Sequence, residues 1–114
     1  GRCGPYSGGC RMKLVYSPDA VQDIQEIKKY ISVTLKNRQS ANRIGKILSN
    51  GCKQLKEQPQ LGMSLEARIG EPSDLRYLIC EKWLVFYRIS GDTIQIVRIM
   101  DGRTDYVKLL FLKE

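Results

Sequence analysis

The chemistry open to this chain is limited first by what it lacks: none of its 114 residues is histidine. Histidine is the usual general base near neutral pH and the commonest metal ligand, so His-based hydrolysis, His-type nucleases and most zinc or iron sites are excluded. Reactive groups must come from Arg, Lys, Tyr, Asp or Glu. The four cysteines add little. Cys3 and Cys10 are spaced for no metal motif, although oxidation would close a small loop between them. Cys52 and Cys80 fall inside apolar periodic segments and read as buried free thiols rather than nucleophiles. No metal and no cofactor is expected.

The cations are more informative. The net charge is +7, and its excess is concentrated in residues 12–58, where nine bases face four acids, whereas residues 59–114 hold eight of each. Arg43, Lys46, Lys53 and Lys56 share one arc of a helical pattern; Ala41, Ile44, Ile47, Leu48, Cys52 and Leu55 share the other. Such a basic arc is either a solvated face or an electrostatic surface for an acidic partner or nucleic acid. Arg68, Arg76 and Arg103 are further candidates for target or nucleic-acid contact.

Those residues need elements to carry them. Lys13–Tyr16 reads as a short strand. Ser17-Pro18-Asp19 is a helix start, with Ser17 to cap, Pro18 in the first turn and Asp19 at the positive end of the dipole. Ala20, Ile24, Ile27, Ile31 and Leu35 form its stripe over about five turns, with Asp23, Glu26 and Tyr30 off it. A polar break at residues 36–40 leads to a second helix ending near Glu57, before Pro59. Two amphipathic helices so closely joined form an antiparallel hairpin. Residues 58–74 read as a long connection, with Leu65–Ile69 as a possible hidden strand.

Residues 75–105 organise the fold. They are rich in β-branched and aromatic side chains and read as a three-stranded antiparallel meander, turning at Glu81-Lys82 and at Ser90-Gly91-Asp92. Both faces look apolar: Tyr77, Ile79, Trp83, Val85, Tyr87 and Ile89 on one, Leu78, Cys80, Leu84 and Phe86 on the other. The hairpin can cover only one. The second needs residues 106–112, which are too apolar to hang in water, or a partner. The expected class is α+β: a helical hairpin packed on a small antiparallel sheet, in the order β-α-α-β-β-β plus a C-terminal segment. Residues 12–114 make one domain, and the Gly-rich residues 1–11 an appended or unstructured lead. No apolar run reaches the roughly 18 residues that span a bilayer and no secretory signal is visible, so a cytoplasmic protein without membrane contact is expected.

The ordered set of motifs resembles the RelE/ParE superfamily of toxins from bacterial type II toxin–antitoxin systems, across nearly all of residues 12–111. It is carried by Tyr16-Ser17-Pro18-Asp19-Ala20, by Leu55 followed by Pro59 and Gly62, and by Leu75-Arg76-Tyr77. Leu84-Val85-Phe86-Tyr87-Arg88-Ile89 and Ile96-Val97-Arg98-Ile99, leading to Gly102-Arg103-Thr104-Asp105, complete it. The resemblance implies a cognate antitoxin, bound in a hetero-oligomer, whose flexible tail wraps the toxin; Leu78, Leu84, Phe86, Arg88, Leu110 and Phe111 are the contacts assigned to it.

Fold does not choose between the superfamily's two activities. RelE-like members cleave mRNA on the ribosome without a metal. Under that reading Arg98 and Arg103 supply charge to the phosphorane and Tyr106 carries a proton; Arg103 is equally readable as a structural partner of Asp101 or Asp105. ParE-like members poison DNA gyrase through protein contacts and need no catalytic set. The Ser-Pro-Asp start, the Leu-Val-Phe-Tyr-Arg-Ile strand and the Gly-Arg-x-Asp tail favour this branch, as does Asp101 where the family often has His before Gly-Arg. A third reading is a stand-alone nucleic-acid-binding module using the basic second helix.

Overall fold

The computed structural model describes residues 12–103. The order is β1 (Lys13–Tyr16), α1 (Pro18–Lys29), a π-helical turn (Tyr30–Thr34), α2 (Arg38–Glu57), β2 (Met63–Ser64), α3 (Leu65–Ile69), β3 (Arg76–Cys80), β4 (Trp83–Ser90) and β5 (Thr93–Asp101). The strands form one sheet in the order β1-β5-β4-β3-β2. The meander expected from the sequence is β3-β4-β5, turning at Glu81 and Gly91, both with positive φ. The sheet is not wholly antiparallel, because β1 lies parallel to β5 at its edge. The parallel direction delivers the chain from β1 into α1 beside β5: Ser17 N–H donates to the carbonyl of Ile96 at 2.9 Å and its Oγ to that of Val97 at 2.7 Å. The same Oγ accepts from Ala20 N–H at 3.0 Å, so one residue caps α1 and pins it to the sheet.

The helices cover one face of this sheet. Ala20, Ile27, Ile31, Ala41, Ile44, Leu48, Cys52 and Leu55 bury against Cys80, Trp83, Val85, Tyr87, Ile94, Ile96 and Ile99. The opposite face has its own buried cluster of Leu65, Leu75, Tyr77, Leu84, Phe86 and Met100. Membership of the two faces differs from the sequence expectation. Tyr77 stands opposite Phe86 and Leu78 opposite Val85, and directly opposed residues share a face. The two-residue turn at Glu81-Lys82 thus pairs odd positions of β3 with even ones of β4, which puts Leu78 and Cys80 on the helix side. Leu84 and Phe86 are not an open flank either; both are buried within the second cluster.

Two further expectations are corrected. Leu35 is 57% exposed. The π turn, closed by Leu35 N–H donating to the Tyr30 carbonyl, is wider than an α turn and rotates the stripe away from Leu35. The segment Leu65–Ile69 is a helical turn rather than a strand: Ser64 Oγ accepts from Ala67 N–H, and Gly70 at φ 77° stops it. The hidden strand is the two residues before it, paired to β3.

Candidate functional site

Arg98 stands next to the residue that bends β5. Val97 is the extra residue of a bulge, since Phe86 pairs with Arg98 but Tyr87 with Ile96. Beyond the end of β1 the outer edge of β5 is met by α1 instead of a strand, and Asp23 projects onto it. Its carboxylate accepts from Arg98 Nε at 2.8 Å, Arg98 Nη2 at 3.1 Å and Ile99 N–H at 2.9 Å. Asp23 is therefore buried, 9% exposed, and lies on the packed side of α1 rather than off it. The hydrogen bonds to Asp23 raise the Arg98 pKa above the ordinary arginine value; partial burial opposes them and the nearby carboxylates of Asp19 and Glu26 add to them. This guanidinium is a clasp between helix and sheet.

Arg103 is more open. Asp101 Oδ1 accepts from Arg103 N–H at 2.9 Å and from its Nε at 3.4 Å. The backbone hydrogen bond from Arg103, more than any other contact, holds the Asp101 carboxyl below its usual pKa. Arg98 is thus held by a carboxylate of the chain itself, whereas the Arg103 guanidinium, 86% exposed, touches one only through Nε at 3.4 Å. Tyr106, Leu110 and Phe111 lie outside the described residues.

The remaining candidates do not converge on one spot. Arg43 reaches across to Glu81 in the β3–β4 turn at 2.8 Å. Arg68 lies over the ring of Tyr77, 5.5 Å from its centre. Arg76 donates to the carbonyls of Gln60 and Gly62, bracing the loop before β2. Arg88 faces Asp74 at 3.4 Å. Lys56 is half-buried. Lys46 and Lys53 do share one feature, a groove of about 530 Å³ between α1 and α2 that is also lined by Lys28 and by Tyr16 of β1. Lys28 was no candidate from the sequence, because only the hairpin's closure sets it opposite α2. Its side chain passes over Gly45, where a Cβ would stand 3.4 Å from Lys28 Cδ, an ordinary contact.

Behind the groove the Tyr16 hydroxyl and the Cys52 thiol lie near one another. Burial pushes the phenol well above its usual range and the thiol up to about 11. Cys80 is raised too, again chiefly by burial. Both thiols are reduced and buried, as their apolar settings imply. Among the described residues there is no group of His, Cys, Asp or Glu that could hold a metal ion. No helix there is long and apolar enough to cross a membrane.

Comparison with known proteins adds the family. Residues 14–106 match the family model described as the ParE toxin of the type II toxin–antitoxin system, parDE. Among solved structures the fold is similar to that of a chromosomal ParDE toxin–antitoxin system from Pseudomonas aeruginosa. That likeness has a TM-score of 0.68 at 22% identity, covering 82% of this chain and 98% of the other. A chain of the RelBE2 toxin–antitoxin complex from Mycobacterium tuberculosis follows at 0.60 and 14% identity, over 80% and 98% of the two chains. A chain of the DinJ–YafQ toxin–antitoxin complex from Escherichia coli gives 0.54 at 14% identity, over 89% and 98%. At these identities the structures speak for the fold alone. No curated protein sequence matches the chain.

Proposed function

This chain belongs to the ParE toxin family of type II toxin–antitoxin systems, and from that premise we propose that it arrests growth by binding DNA gyrase through protein contacts, not by cutting RNA. The observation that carries the choice is the state of Arg98, one of the two arginines assigned to a metal-free ribonuclease. Arg98 gives two donors to Asp23, although Arg103, 86% exposed, stays open to solvent beside Asp101. A phosphate arriving at Arg98 would meet a guanidinium whose charge is already balanced by a carboxylate that also serves Ile99 N–H, and competing for its Nε face would break the clasp.

The partner under this reading is a cognate antitoxin. Its seat is the outer edge of β3, where β2 pairs only Arg76 and Tyr77 and, among the described residues, no strand lies beside Leu78–Cys80. Ile79 is 52% exposed there, a foothold for an added strand. Leu84 and Phe86, being buried, serve the fold rather than the contact.

The deciding experiment runs purified full-length protein in a gyrase supercoiling assay beside a translation reaction with primer extension on the mRNA. Loss of supercoiling with intact transcripts is expected. Transcripts cut near the ribosomal A site, with supercoiling untouched, would overturn the proposal. Co-expression of the small protein encoded by an adjacent reading frame is expected to restore growth.

A further inference from the structure

The groove between α1 and α2 gathers Lys28, Lys46 and Lys53, with Asn42, Ser49 and Asn50 along the same wall and no Asp or Glu among the residues that line it. None of the three ammonium groups has a carboxylate within ion-pair distance among the described residues. The Lys28 side chain crosses over Gly45, which brings its charge to α2. Three like charges collected without a counterion repel one another, and the groove is left with hydrogen-bond donors in excess.

That composition selects among ligands. A protein surface at this spot would bring backbone donors as well as acceptors and would want aromatic, Met or Arg anchors; interface cores are depleted in Lys. A phosphodiester chain presents acceptors only, and Lys, Asn and Ser side chains are among its usual contacts. Lys46 and Lys53 lie seven residues apart on α2, about 10.5 Å at 1.5 Å per residue. That span matches about three nucleotides of a strand rising ~3.4 Å each. We propose that the α1–α2 groove is a nucleic-acid backbone site, in which Lys28, Lys46 and Lys53 each neutralise one phosphate. This goes beyond the gyrase reading and does not require it, since binding is measured with no gyrase present.

The test is fluorescence anisotropy of a short labelled DNA duplex with the full chain, at salt concentrations from roughly 50 to 200 mM. Three neutralised phosphates make the slope of log K against log salt about −2.7, or about −2.1 for a single strand. The triple variant Lys28→Gln, Lys46→Gln, Lys53→Gln is expected to lose that slope, and the corresponding triple Arg variant to keep it. Lys29→Gln, Lys36→Gln, Lys82→Gln removes the same charge outside the groove and is expected to leave the slope unchanged. Equal loss in both Gln variants would mean diffuse attraction and overturn the site, as would absence of binding by the wild type. Parallel titrations with single-stranded DNA, single-stranded RNA and an acidic peptide separate the sources. Binding of the peptide alone, sensitive to the groove lysines, would reassign the groove to a protein partner and sink the proposal.

Discussion

Replacing Asp23 tests whether Arg98 is structural. In Asp23→Ala the buried Ile99 N–H loses its acceptor, worth about 1–3 kcal/mol when unreplaced. Arg98 loses its counter-charge as well. Breaking a buried pair costs about 3–5 kcal/mol, but the Arg98 side chain is 29% exposed and can recover part of that from water. The expected sum is about 3 kcal/mol. Asp23→Asn keeps an acceptor for Ile99 and loses only the charge, so about 1.5 kcal/mol is expected. At about 4–8 °C per kcal/mol for a domain of this size, the alanine variant melts some ~12–24 °C lower.

Urea unfolding with an unchanged slope gives the free energies, and a double-mutant cycle with Arg98→Met gives the coupling, expected near 2 kcal/mol. A shift below about 0.5 kcal/mol for Asp23→Ala, or additivity in the cycle within the same margin, would refute the clasp. The functional side is read on folded protein alone. Arg98→Met is expected to inhibit supercoiling as wild type does, per folded molecule, at a temperature where it remains native. If activity disappears while the fold persists, Arg98 touches the target or its substrate and the structural reading fails.

Gly62→Ala should destabilise by about 1–3 kcal/mol, because a Cβ there would fall 2.6 Å from the Tyr77 carbonyl and 2.7 Å from the Tyr87 ring. Urea midpoints measure it, and a neutral result would mean the β2 loop is free to move. Burial holds the Cys52 pKa near 11 against 9.0, so between those values the unfolded chain releases a proton that the folded chain keeps. Stability should therefore fall as pH rises from 9 towards 11. Cys52→Ala should flatten that decline, and an unchanged decline would place its origin elsewhere. In a Cys3→Ser, Cys10→Ser background both remaining thiols should resist a thiol reagent at pH 8 until the protein unfolds; native-state labelling would contradict their burial.

Much of the fold was legible because local signals and the global arrangement agree. Ser17-Pro18-Asp19, Pro59 and Gly91 punctuate the chain where their backbone chemistry demands, and the meander follows from its β-branched residues. The errors share one cause: phase. A two-residue turn exchanged the faces of β3 and β4, a π turn rotated Leu35 outward, and Leu65, Ala67 and Ile69 alternate like a strand. The Ser64 and Gly70 caps around that last segment were the available corrective. Asp23 was missed for a related reason. It lies as far to one side of the Ala20–Ile27–Ile31 stripe as Leu35 lies to the other, and hydrophobicity kept the leucine. An unpaired arginine in an apolar strand was the signal that a carboxylate had to be nearby.

The candidate site was less legible because its residues come from segments whose relation only the tertiary structure sets. On α2 alone, Arg43, Lys46, Lys53 and Lys56 look equivalent. The packed hairpin separates them: Arg43 is taken by Glu81 and Lys56 is half-buried, while Lys46 and Lys53 are joined by Lys28 from the other helix. Paired cations brace the fold, and the unpaired ones are those assigned to the proposed backbone site. The same division applies to the sheet, where Asp23 occupies Arg98 while Arg103 stays largely exposed. Charge reversal tests the division: Lys46→Glu with Lys53→Glu should weaken nucleic-acid binding and leave the melting temperature unchanged, whereas Asp101→Arg, which removes the partner of Lys82 and Arg103, should lower the melting temperature.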